Sequence, residues 1–217
     1  MSSVITYSTA ERADVAGLLG AADRLTEDQQ RALAQAREKS RTPQPDLDPR
    51  GVNEGLSVPD ALEHLIAGHA DSDAANGAGA CYRALQCLID VCSCDSEVLG
   101  VYSRPFTFFS ALDDDLRRLG VGADLLPHAR LFSGPPDEIP FPVPYPVDGR
   151  HIGMWPLDRA EPAADAYRTV LDRIDPEFSY DFLLLIGRLD VEHDAWKLST
   201  QECDWYSQDT IFFSVTD

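Results

Sequence analysis

The sequence predicts an α+β fold, a predominantly helical layer packed on a small sheet that includes the N- and C-terminal strands. Three observations carry this reading. β-rich runs stand at both chain ends, the segments between them carry apolar residues at helical spacing, and capping residues, glycines and prolines punctuate those segments. With 217 residues and 44% hydrophobic content, the chain can build a substantial core, and it reads as a single α+β domain over residues 1–217.

Residues 3–8 (Ser-Val-Ile-Thr-Tyr-Ser) alternate and are rich in β-branched types, the pattern of a short strand. Ser8-Thr-Ala-Glu11 has the form of a capping box opening a helix that turns Val15, Leu18 and Leu19 inward and stops at Gly20. Thr26-Glu-Asp-Gln29 repeats the device for a helix to Ser40, whose thin apolar face places it on the surface. Residues 41–55, with Pro43, Pro45, Pro49, Gly51 and Gly55, read as a loop. Ser57-Val-Pro-Asp60 starts a third helix, with Leu62, Leu65 and Ile66 inward and Gly68 just past its end. After a loop at 71–79, residues 81–91 set Tyr82, Leu85, Leu88 and Ile89 at helical spacing. Pro105 fits the first turn of a helix over 106–119, ended by Gly120.

Residues 133–149 break the pattern. Prolines alternate with Ile139, Phe141, Val143, Tyr145 and Val147, which excludes a helix or a central strand and indicates an ordered, extended proline-rich ribbon packed on the protein. Asp158-Arg-Ala-Glu161 resembles a capping box for a helix to Ile174. Past Pro176, residues 180–199 form a longer helix with Leu184, Leu185, Leu189, His193 and Trp196 along one side. Thr210–Thr216 is the closing strand.

The charge is distinctive. Acidic residues number 37 against 18 basic, a formal net charge of −19. Residues 1–56 hold 9 acidic and 7 basic residues, and residues 57–217 hold 28 and 11. A field of that sign repels phosphate backbones and anionic bilayers, so neither nucleic acid nor membrane is expected as a partner, while a basic protein is. There is no basic-then-apolar leader and no apolar run of spanning length, and the five cysteines are odd in number and mostly crowded together. These features indicate a reduced, cytoplasmic protein.

Four groups of residues carry candidate chemistry. Cys81, Cys87, Cys92 and Cys94 lack the spacing of zinc knuckles; Cys81 and Cys92 share the apolar helical face and read as small core residues, Cys87 points away from it, and Cys92 and Cys94 with Asp95 at the helix exit could serve a metal or redox function. His64, His69, Asp71 and Asp73 bring ligand-type groups within ten residues, with a glycine interrupting the helix. Asp113-Asp-Asp115 cannot converge on one ion along a helix and is expected to be a solvated face paired with Arg117 and Arg118. Asp190 precedes His193 by three residues, close enough to orient an imidazole for general-base work. No nucleophile elbow, phosphate loop or dinucleotide fingerprint is present, and no cofactor is expected.

The start Ser2-Ser-Val-Ile-Thr-Tyr7, the segment from Gly55 to Gly68, the ribbon start Phe132-Ser-Gly-Pro-Pro, the helix Pro162-Ala-Ala-Asp-Ala-Tyr-Arg and the end Thr210–Thr216 resemble an uncharacterised bacterial family. More distantly, the chain is similar to the YfbM-like proteins. The resemblance implies a compact α+β domain and transfers no functional residue. The leading functional reading is a non-catalytic acidic protein-binding module, of inhibitor, immunity or regulatory type, that engages a basic partner. The alternatives are an enzyme or small-molecule sensor, with His64, His69, Asp71 and His193 as catalytic candidates and Phe141 and Tyr145 as binding aromatics, and a thiol or metal sensor on Cys92 and Cys94.

Overall fold

In the computed structural model the described residues are 2–22, 24–42, 55–70, 77–94, 96–146 and 150–216. Most of the expected loop at 41–55, Asp71, Asp73 and the ribbon's Val147 lie outside them. Strand β1 (Ser3–Ala10) lies at the centre, followed by α1 (Arg12–Leu18), α2 (Glu27–Arg41), α3 (Val58–Ala67) and α4 (Gly77–Cys92). Then come β2 (Glu97–Tyr102), α5 (Pro105–Arg118), α6 (Pro127–Leu131), β3 (His151–Pro156), α7 (Ala160–Arg168), α8 (Ser179–Glu202) and β4 (Thr210–Thr216). The four strands form one antiparallel sheet in the order β2-β1-β4-β3.

The class is α+β, as the sequence indicates, and the helices divide between both faces of the sheet. On one face Ile5, Tyr7, Trp155, Ile211 and Phe213 join the core built by α5–α8. On the other, Ala10, Ile152, Met154 and Phe212 join the core of α1–α4. Strand alternation makes this division, because neighbours such as Ile211 and Phe212 point to opposite sides.

The caps show which local signals held. Thr26 and Gln29 form the complete capping box, and Ser57 accepts from the Asp60 amide. Gly68 closes α3 in the left-handed region at φ 92°, which favours glycine. The carbonyls of Leu65 and Ile66 then accept from the amides of Gly20 and Ala22. Ser8 and Asp158 do not cap. Ser8 is consumed by a strand that runs two residues further, with Glu11 at the N-cap of α1, and Asp158 lies in a 3-10 turn before α7. The helix expected to reach Ile174 stops at Arg168 and gives way to another 3-10 turn over Leu171–Arg173.

β3 is an edge strand, and the start of the proline-rich segment covers its outer side. The Gly134 amide donates to the Ile152 carbonyl at 2.9 Å, and the Ser133 hydroxyl accepts from the Met154 amide at 3.1 Å. This satisfies edge groups that would otherwise invite pairing with another chain. Farther on, Ile139, Phe141 and Val143 pack against the α1–α4 core. Behind β3, α6 passes so close that a Cβ at Gly153 would run into the Leu131 carbonyl. Gly153→Ala is therefore expected to destabilise the fold by about 3 kcal/mol, measured by urea unfolding; a loss below about 0.5 kcal/mol would contradict this packing.

Candidate functional site

The residues that converge most closely on a cavity come from five segments of the α1–α4 side. One face of α4, Tyr82, Arg83, Gln86, Cys87 and Asp90, repeats at three- and four-residue spacing and lines a cavity of about 80 Å³. Its opposite face, with Ala84, Leu85, Leu88 and Ile89, is buried in the core, so the helix's amphipathicity aims the polar groups outward. Lys39 and Ser40 from α2, Val58 from α3, and Arg150, His151, Ser214 and Thr216 from the ends of β3 and β4 complete the wall. That volume has room for several waters or a small ion.

The polar groups interlock. Lys39 pairs with Asp90 at 3.2 Å, and Gln86 Nε2 donates to Asp90 Oδ1 at 2.7 Å. Gln86 Oε1 is buried and accepts no hydrogen bond among the described residues. Arg83, Arg150 and His151 each have further interactions of their own. Among the described lining residues three are permanent cations and one is a carboxylate, in a chain where acids outnumber bases two to one. Burial pushes the Cys87 thiol up to about 11, helped by Asp90, so it is a neutral thiol at pH 7. Burial also holds the Tyr82 phenol up at about 12.

An aromatic and histidine cluster continues the cavity around the β3 edge. The Tyr145 hydroxyl and His151 Nδ1 are hydrogen-bonded at 2.7 Å, and the Tyr145 ring stands edge-on to Tyr82 at 6.4 Å. His151 packs on Phe132 at 5.2 Å and Phe106 at 5.7 Å, and His128 packs on Phe106 at 4.3 Å. Burial lowers the His128 pKa, with Arg117 adding to the effect, so this ring is neutral near pH 7. The cluster rests on Asp113, which is 2% exposed and accepts from the His128 amide at 3.0 Å, capping α6 from α5.

The residues singled out from sequence are dispersed. Tyr145 joins the cluster, whereas Phe141, partly buried, packs against the α1–α4 core near Gly20. His64 and His69 are brought together by the turn at Gly68, with ring centroids 4.6 Å apart. Asp71 lies outside the described residues. His193 is 6% exposed, and its Nδ1 lies 2.9 Å from the Leu157 carbonyl, an acceptor to which the ring must donate. Asp190 does not orient it, being paired with Arg168. Cys92 is pushed up to about 12 by burial, and Cys94 accepts from Gln208 on the surface. Among the described residues no group of three or more His, Cys, Asp or Glu could hold a metal ion.

The expectation that Asp113–Asp115 form a solvated face needs correction. Asp113 is buried, Asp115 accepts from the Asp175 amide and from Arg118, and Asp114 is the exposed member. His128 and His151 are single histidines beside a proline turn and a strand start, and Asp148 precedes His151 by the same three residues that separate Asp190 from His193. The usable signal was the concentration of aromatics at Phe106, Phe132 and Tyr145 around them.

A family model described as "Domain of unknown function (DUF7691)" matches residues 1–214, and the chain belongs to that family. No curated protein and no solved structure matches the chain. Among the described residues no helix is long and apolar enough to cross a membrane.

Asp113 gives the cluster a pH signature. Burial raises its pKa to about 6, against the lowering effect of the His128 amide and Arg117. Because the folded value lies above the unfolded one near 4, the stabilisation is fully present below about pH 4 and is lost as pH rises through about 6. Wild type is expected to lose about 1–2 kcal/mol relative to Asp113→Asn between about pH 4 and 7, after solvent screening. Urea unfolding of both proteins across that range measures it, and a constant difference would contradict the assignment.

Proposed function

We propose that this member of a family of unknown function binds a small anionic molecule in the cavity between α4 and the β3 edge, acting as a small-molecule sensor or binding module. The observation that carries the reading is the convergence of Lys39, Arg83 and Arg150 beside the Tyr145–His151 pair, within a strongly acidic chain. Guanidinium groups suit carboxylate or phosphate oxygens because their donors form a planar fork. Gln86 Oε1 adds an acceptor, which favours a ligand carrying a hydroxyl or amine as well as its anionic group. The walls from Tyr82, Val58 and Ile152 fit a short apolar portion.

The Tyr145–His151 hydrogen bond can also move a proton at the cavity mouth, through the imidazole. That is the specific feature in favour of a catalytic variant of the reading.

Thermal unfolding with inorganic phosphate or malonate tests the proposal. At a concentration about tenfold above Kd, a bound anion stabilises the native state by about 1.4 kcal/mol, or about 3–5 °C in Tm. An Arg83→Gln, Arg150→Gln double variant is expected to lose that shift while remaining folded. No shift with either anion, or an equal shift in the double variant, would overturn the reading.

A further inference from the structure

We propose that the outer face of α8 docks a cationic amphipathic helical segment of a protein partner. This site is independent of the anion cavity and lies on the α5–α8 side of the sheet. α8 runs for 24 residues and buries Phe182, Leu185, Ile186, Leu189 and His193 against the core. At about 100° per residue the opposite side carries Tyr180, Leu183, Val191 and Leu198, which are 72%, 55%, 57% and 55% exposed. A solvent-facing helix surface ordinarily carries polar residues. Here four large apolar side chains repeat along one stripe, with Gly187 between them opening onto empty space. A partner's side chain could enter at that gap.

Charge decides what fits. Residues 157–209, which build α7, α8 and their flanking turns, hold 13 acidic and 5 basic residues. On the helix wheel Asp181 and Glu192 flank the stripe on one side and Asp190 on the other, while Asp194 sits within it between Val191 and Leu198. Arg168 is paired with Asp165 and Asp190, and Arg188 is drawn off to Glu97. Lys197 lies outside the stripe, beyond Asp190 on the helix wheel. A second copy of this chain would set two acidic borders against each other, and an anionic bilayer or nucleic acid would be repelled. A helix with an apolar face bordered by lysine or arginine meets both features at once, laying its leucines on the stripe and its cations on the carboxylates.

A labelled helical leucine–lysine peptide of about 20 residues, enough to span the stripe from Tyr180 to Leu198, probes the face by fluorescence anisotropy with the full chain. A scrambled peptide of the same composition is the control for charge alone. The helical peptide is expected to bind at least about tenfold more tightly than the scrambled one, and to weaken about tenfold with Leu183→Asp or Val191→Asp. Leu198→Ser serves should either aspartate variant fail to keep the wild-type circular dichroism spectrum. Equal binding of the two peptides, undiminished binding by the folded variants, or a dimer of the free protein that Val191→Asp dissolves would each overturn the proposal. Retention of peptide binding in the Arg83→Gln, Arg150→Gln variant separates this site from the cavity.

Discussion

The molecule depends on the pairing of its two chain ends. β1 and β4 hydrogen-bond along seven registered positions, from Val4 opposite Thr216 to Ala10 opposite Thr210. They occupy the middle of the sheet, and both of their faces are covered. Ile5, Tyr7, Ile211 and Phe213 bury toward α5–α8, while Ala10 and Phe212 bury toward α1–α4. Pairing over so large a sequence separation carries a high closure entropy. It is offset by two apolar layers that neither half of the chain could complete alone. The cavity inherits its shape from the same constraint, because one wall is the end of β4 and the neighbouring start of β3.

The central strands and the long helices were legible in the sequence because local propensity and tertiary demand agree there. Thr210–Thr216 is made of β-formers apart from Ser214, and α3 has both its serine cap and its terminal glycine. The edge strands were not legible. β2 carries Gly100 and a bulge opposite Ile5 and Thr6, and β3 carries Gly153 and ends on Pro156. Glycine, proline and a bulge weaken the strand signal in short segments. Gly153 is required by α6 passing behind it, a demand from distant residues. In α8 apolar residues lie on both sides, so sequence spacing alone grouped Leu184 with the core stripe although it is only partly buried.

The candidate site was legible in one aromatic, Tyr145. His64, His69 and His193 drew notice because they stand near acids or one another in sequence, yet His193 serves a backbone carbonyl inside the core. Arg150 and His151 reach the cavity at the start of β3, with His151 pairing with Val215. The acidic surplus also divides in space. Its densest segment, 157–209, belongs to the α5–α8 layer, while the cavity on the opposite layer gathers Lys39, Arg83 and Arg150.

A titration of isotope-labelled protein with inorganic phosphate, followed by amide chemical shifts, tests the central claim most directly. The expected result is saturable shifts confined to Arg83, Gln86, Arg150, His151 and Thr216, with the α8 amides unmoved. Shifts absent at these residues, or centred elsewhere on the molecule, would contradict an anion site built on α4 and the β3 edge.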